Sequence, residues 1–177
     1  MNDNLKKILA AREARYQLRL DLHQKYNLPV VVITMNIPGP DKSNQLIKKA
    51  FQKFTAEIVK IFTKDNITIE QQIISFTFAG PEAFFVLNYK EDCSNLKKKL
   101  IEIEQHHSLG RLLDLDLYQS DSKAISRKSI DRRERQCLLC EEDARKCIIE
   151  KRHSLVELNR IIKEIIMQYL EENSGSV

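Results

Sequence analysis

The sequence predicts an α+β fold, a central β-α-β-β-α-β sheet layer with flanking N- and C-terminal helices. Three observations lead there. Runs at 30–34, 72–79, 84–89 and 112–118 are β-branched, aromatic or strictly alternating, the pattern of strands. Two stretches between them, 43–64 and 92–106, repeat apolar residues at three and four, the pattern of half-buried helices. The chain has only four Gly and four Pro, and three of each fall in the short connections of this pattern, which makes those turns legible. The resulting order fits a split βαβ sheet with two helices on one face.

Each element has a local reason. Residues 4–26 read as a helix with Leu5, Ile8, Leu9 and Tyr16 near one face, and with Arg12, Arg15 and Arg19 sharing a neighbouring face. Pro29 stops it, and Val30 to Thr34 is a buried strand that ends in the Ile37-Pro38-Gly39-Pro40 turn. Helix 43–64 carries Ile47, Ala50, Phe51, Phe54, Ile58, Ile61 and Phe62 inward, and Asp65-Asn66 breaks it. Strands 72–79 and 84–89 form a hairpin about a Gly80-Pro81-Glu82 turn. Helix 92–106 turns Cys93, Leu96, Leu100 and Ile103 inward, and Gly110 ends the connection to the last strand. Residues 123–152 read as irregular or short-helical. Ser154-x-x-Glu157 is a capping box that opens a C-terminal helix over 154–172.

The 177 residues are read as a single domain, 1–177. No window approaches the roughly 18 consecutive apolar residues of a membrane span, and residues 1–19 lack the apolar run of a signal peptide. The expectation is a cytoplasmic protein with no membrane partner, whose four cysteines are thiols or metal ligands rather than disulfides. The net charge of +4 resides wholly in 123–152, where ten basic side chains face six acidic ones. A local excess of that kind suits an anionic ligand such as a polyphosphate; a solvated mixed-charge surface is the plainer alternative.

Three constellations carry chemistry. In Leu113-Asp114-Leu115-Asp116-Leu117 the period of two puts Asp114 and Asp116 on one strand face, with Cα atoms about 7 Å apart. Asp is depleted in strands, and two like charges on one face repel without a cation, so the pair reads as a Mg²⁺ and phosphate site, the plainer alternative being a strand with a polar solvent face. Just before it, His107-Ser108-Leu109-Gly110-Arg111 offers a proton carrier or phosphate contact at His107, a close backbone approach at Gly110 and a bidentate phosphate clamp at Arg111. The third is Cys137-x2-Cys140-x6-Cys147-x5-His153. It reads either as a Zn²⁺ site or as thiols packed along one helical stripe.

The run H-S-L-G-R-L-L-D-L-D from His107 to Asp116, then I-S-R at 125–127, C-L-L-C at 137–140, Cys147 and His153, resembles the apo-citrate lyase phosphoribosyl-dephospho-CoA transferases. Arg12-x-x-Arg15, the Pro-Gly-Pro turn at 38–40 and Gly80-Pro81-Glu82 fit the same family, so the likeness spans 12–153. The resemblance implies transfer of phosphoribosyl-dephospho-CoA from 2′-(5″-triphosphoribosyl)-3′-dephospho-CoA to a serine of the apo acyl-carrier subunit of citrate lyase, with release of pyrophosphate. It implies Mg²⁺ at Asp114 and Asp116, phosphate contacts from Arg111, Arg127, Arg12 and Arg15, and His107 as base or phosphate contact. No nucleic-acid partner is expected. The G-x-x-x-D-x-D core is similar to the metal aspartates of nucleotidyltransferases, but no Gly-Ser turn stands shortly before it. The related carrier of malonate decarboxylase and a non-enzymatic basic binding module are the alternatives. The glycine turns at 39, 80 and 110 are expected to converge around the aspartates.

Overall fold

The computed structural model describes residues 3–119, 124–126 and 136–172. It has the expected mixed class: one four-stranded antiparallel sheet with flanking helices. The elements are α1 (Asp3–Tyr26), β1 (Val30–Met35), α2 (Gln45–Lys64), β2 (Thr68–Thr77), β3 (Gly80–Asn88), α3 (Cys93–His106), β4 (Leu113–Tyr118), α4 (Ala144–Ile149) and α5 (Leu155–Glu172). A 3₁₀ turn, Gly110–Leu112, leads into β4. The strand order across the sheet is β2-β3-β1-β4, so β4 is an edge.

The sheet is covered on both faces. On one, Val31, Ile33, Met35, Phe85, Leu87, Leu113, Leu115 and Leu117 meet the apolar stripes of α2, α3 and α5 in the main core. Phe51, Phe54 and Phe62 of α2 are at most 2% exposed, each contributing about 1.5–3 kcal/mol of burial. On the other face, Val30, Val32, Phe84 and Val86 pack under Leu18, Leu22 and Tyr26 of α1.

The apolar side of α1 does not meet that second face: Leu5, Leu9 and Tyr16 are 43–47% exposed, whereas Arg19 is buried. The arginine face turns to the sheet because Glu82 and Tyr118 receive it there. The hairpin is also tighter than expected. Only Phe78 and Ala79 lie outside the strands, and Pro81 and Glu82 are the second and third residues of β3. Pro81 is tolerated because β1 pairs with β3 only from Glu82 onward, so no ladder bond to β1 is lost there. Gly80 takes φ +110°, a conformation open to glycine.

Helix ends follow their side chains. Asn44 and Asp92 cap α2 and α3 through the N–H groups of Ile47 and Ser94. Ser154 Oγ accepts from Glu157 N, and Glu157 Oε2 accepts from Ser154 N, closing the capping box of α5. The registers Met35↔Leu113, Thr34↔Glu82 and Thr77↔Gly80 bring the connections holding Gly39, Gly80 and Gly110 to one end of the sheet, beside Asp114.

Candidate active site and thiol centre

β4 alternates in burial, with Leu113, Leu115 and Leu117 in the core and Asp114, Asp116 and Tyr118 half-buried on the α1 face. Across the sheet, Asp114 stands opposite Thr34, Thr34 opposite Glu82, and Glu82 opposite Ser75, giving one polar row at the end of the α1 face, with Asp116 opposite Val32 in the next row. Glu82 is 4% exposed. It accepts from Arg15 Nε at 2.7 Å and from Ser75 Oγ at 2.9 Å. The Arg19 guanidinium lies 4.0 Å from the centroid of the Tyr118 ring. Burial raises the pKa of the Tyr118 hydroxyl, and Asp116 and Asp114 raise it further while Arg19 and Arg15 oppose them. These four charged residues thus share one neighbourhood. Lys42, after the Pro-Gly-Pro turn, has its pKa lowered by burial and then by the Arg12 guanidinium. Two carboxylates beside Arg15 and Arg19 suit a polyanion held through a divalent cation.

The edge that carries the aspartates is pinned from α3. Leu115, the residue between them, donates its N–H to Glu104 Oε1 at 2.7 Å, and its carbonyl accepts from Lys97 Nζ at 2.7 Å. Both side chains are at most 5% exposed. An edge strand normally leaves such groups to water; here two buried side chains hold them and with them the aim of Asp114 and Asp116.

The other residues of the His107–Arg111 motif lie elsewhere. His107 is on the opposite side of the sheet, its ring against Phe54 and Tyr169. Its Nδ1 accepts from Leu109 N at 3.0 Å, which assigns the proton to Nε2, and Nε2 donates to Glu57 Oε2 at 2.9 Å. Tyr169 donates to Glu57 Oε1 at 2.8 Å, and burial together with Glu57 raises its hydroxyl pKa well above the usual tyrosine range. Gly110 packs on the end of α3, where an added Cβ would sit 2.5 Å from the Glu104 carbonyl oxygen. The glycine is needed there for helix contact. Arg111 donates to the Cys137 carbonyl and lines a cavity of about 450 Å³ with Leu112, Cys137, Cys147, Leu158 and Ile162. Arg127 lies outside the described residues, as do Lys123, Lys128, Arg132, Arg133 and Arg135 of the basic stretch.

The thiol segment is not one helix, so its cysteines do not form a helical stripe. Residues 137–142 form a loop closed by a Gln136↔Asp143 bridge and by Cys137 N donating to Glu142 O at 2.7 Å. Asp143 caps α4, which presents Cys147, and Lys151 at φ +51° turns the chain so that His153 returns. The Sγ atoms of Cys137, Cys140 and Cys147 and one ring nitrogen of His153 all lie within 4.8 Å of one another. Burial works against ionisation of Cys137, but N–H groups of Leu139 and Cys140 and the neighbouring thiols outweigh it and bring its pKa to about 7. Cys147 is pushed up to about 12 by burial and by the Cys140 and Cys137 thiols.

Residues 3–169 match the model of the apo-citrate lyase phosphoribosyl-dephospho-CoA transferase family. The chain belongs to this family. A Vibrio cholerae protein named "Probable apo-citrate lyase phosphoribosyl-dephospho-CoA transferase" is 33% identical over 166 residues, covering 94% of this chain and 93% of its own. An Escherichia coli protein named "Apo-citrate lyase phosphoribosyl-dephospho-CoA transferase" is 29% identical over 155 residues, 88% of this chain and 84% of its own. "Protein CitXG" of Haemophilus influenzae is 35% identical over 88% of this chain, which spans 33% of that relative's length. Arg19, Tyr118, Lys97 and Glu104 are not among the candidates the sequence offers. The buried side of α1 brings Arg19 onto Tyr118, and α3 brings Lys97 and Glu104 onto Leu115 between the aspartates.

Proposed function

We propose that this chain, as one transferase domain, moves phosphoribosyl-dephospho-CoA from 2′-(5″-triphosphoribosyl)-3′-dephospho-CoA to a serine of the apo acyl-carrier subunit of citrate lyase. The observation that carries the site reading is the half-buried Asp114 and Asp116 pair on one face of β4, beside Arg15 and Arg19. Family membership supports the reaction. The carrier serine oxygen attacks the α-phosphorus of the triphosphoribosyl group, the bond from that phosphorus to the bridging oxygen breaks, pyrophosphate leaves and the serine proton passes to a base. This is nucleotidyltransferase-type chemistry on a split βαβ scaffold.

The chemistry of the donor set fits Mg²⁺. Asp114 and Asp116 would hold it, and it would supply charge neutralisation on the phosphates and on departing pyrophosphate. Arg12 and Lys42, which neighbour each other, would bind the polyphosphate, while Arg15, bonded to Glu82, would orient that end of α1. Arg111 supports the approach to β4 through Cys137, and His107, held between Leu109 and Glu57, secures the turn that feeds it. The four free cysteines agree with work in the reducing cytoplasm. No helix among the described residues is long and apolar enough to cross a membrane.

The test is mass spectrometry of apo carrier incubated with the full chain, triphosphoribosyl donor and Mg²⁺. The citrate lyase carrier is expected to gain the prosthetic-group mass. Gain on the malonate decarboxylase carrier alone would reassign the acceptor, and gain on neither would overturn the transferase reading.

A further inference from the structure

Away from the aspartates, on the α2–α3–α5 side of the sheet, lies a cluster that the transfer reaction does not use. We propose that Cys137, Cys140, Cys147 and His153 bind one Zn²⁺ as a closed, structural centre. The inference is independent of the transferase reading.

Four arguments support it. First, tetrahedral zinc with about 2.3 Å to sulfur and 2.0 Å to nitrogen sets its ligand atoms roughly 3.4–3.8 Å apart. The four ligand atoms already lie within 4.8 Å of one another, with Cys140 Sγ 3.4 Å from both Cys147 Sγ and His153 Nε2. Second, the backbone is bent to this end. A closed loop delivers Cys137 and Cys140, a six-residue helix delivers Cys147, and the left-handed Lys151 returns His153. A non-glycine residue at φ +51° carries strain that something nearby offsets. Third, apolar packing does not account for the thiols. Among the described residues, Cys137 and Cys147 are buried yet belong to neither hydrophobic core, and Ile148 and Ile149 beside Cys147 are 69% and 80% exposed. A thiol cluster kept for packing would sit in the core. Fourth, all four cysteines are free, so no disulfide consumes the ligands.

Three thiolates with one imidazole favour zinc over hard cations. Nε2 of His153 faces Cys140 and is the ligating nitrogen. Binding releases the thiol protons to solvent and leaves the centre with one net negative charge. Four protein ligands leave no open position for substrate or water, which makes the centre structural rather than catalytic. Its consequence is mechanical. The Cys137 carbonyl holds Arg111 one turn before β4, so the metal fastens the 136–153 segment to the strand that carries Asp114 and Asp116.

The experiment is elemental analysis of the full-length chain, purified reduced and without a metal-affinity step, together with Co²⁺ reconstitution. About one zinc per chain is expected, with cobalt giving the d–d and sulfur-to-metal bands of a tetrahedral thiolate site. Cys140→Ser and His153→Ala should lose the metal. His153→Cys, which keeps a ligand there, should retain it, and this rescue separates a ligand role from a general loss of folding. Wild-type protein with less than about a tenth of an equivalent of zinc and no thiolate bands with cobalt would overturn the proposal. So would zinc retained in both Cys140→Ser and His153→Ala.

Discussion

Lys97→Met is the most informative single perturbation of the scaffold. The substitution keeps length and apolar volume but removes a buried ammonium and the donor to Leu115 O. A buried carbonyl stripped of its donor costs about 1–3 kcal/mol. The second contribution is electrostatic. Lys97 Nζ and Glu104 Oε1 each lie 2.7 Å from the outward polar groups of one residue. Those groups are themselves about 3 Å apart, so the two charges face each other across at most roughly 8 Å. At an effective dielectric near 20 and 6–8 Å, their attraction is about 2–3 kcal/mol. The expected loss is therefore about 3–6 kcal/mol, close to the range of about 3–5 found when one member of a buried pair is removed. For a protein of this size that lowers Tm by roughly 6–24 °C. Thermal and urea unfolding measure it. In a Glu104→Gln background, where the amide oxygen still accepts from Leu115 N, the same Lys97→Met change should cost about 2 kcal/mol less, because the charge attraction is already gone. A Tm shift under about 2 °C for Lys97→Met would refute the reasoning, and strict additivity in the cycle would refute its electrostatic part.

Gly110→Ala should lose about 1–3 kcal/mol or more, because the new Cβ meets the Glu104 backbone oxygen at 2.5 Å; an unchanged melting curve would contradict that contact. Tyr169→Phe removes a donor from Glu57 and should destabilise by about 1–2 kcal/mol in urea unfolding, the lower part of the range because Glu57 is 28% exposed. Ser154→Ala should cost about 1 kcal/mol through loss of the α5 cap. In the same box the Ser154 N–H and, after it, the Ser154 hydroxyl hold the Glu157 carboxyl below its ordinary 4.5, so its contribution is complete above about that pH and fades as pH falls through the lower folded value, and Ala removes the hydroxyl's share. A Ser154→Ala protein should accordingly show a weaker acid dependence of stability than wild type.

The parts legible in the sequence were those set by near neighbours. Strict alternation from Leu113 to Leu117 put both aspartates on one face before any partner strand was known, and Ser154 with Glu157 declared the start of α5. The convergence of the Gly39, Gly80 and Gly110 connections at one sheet end followed from strand direction alone. What escaped depended on distant partners. The inward face of α1 was hidden because arginine is ordinarily solvated, and only Glu82, 67 residues away, accounts for the burial around Arg15. No local pattern marks Lys97 and Glu104 in helix 92–106, although each satisfies an edge-strand group. Pro81 looked like a turn residue because pairing with β1 stops one residue short of it. The spacing of Cys137, Cys140, Cys147 and His153 raised a ligand set, but its closure needed the left-handed turn at Lys151, which the sequence does not mark.

The account rests on Asp114 and Asp116 carrying the transfer of the prosthetic group. The most direct measurement is pyrophosphate release and carrier mass, followed together for wild type and for the Asp114→Asn/Asp116→Asn double variant, at matched folded fraction and saturating Mg²⁺. Wild type is predicted to release one pyrophosphate for each carrier modified. The double variant is predicted to fall by at least about a hundredfold while its melting curve stays close to that of wild type. A double variant that modifies the carrier at the wild-type rate would contradict the account.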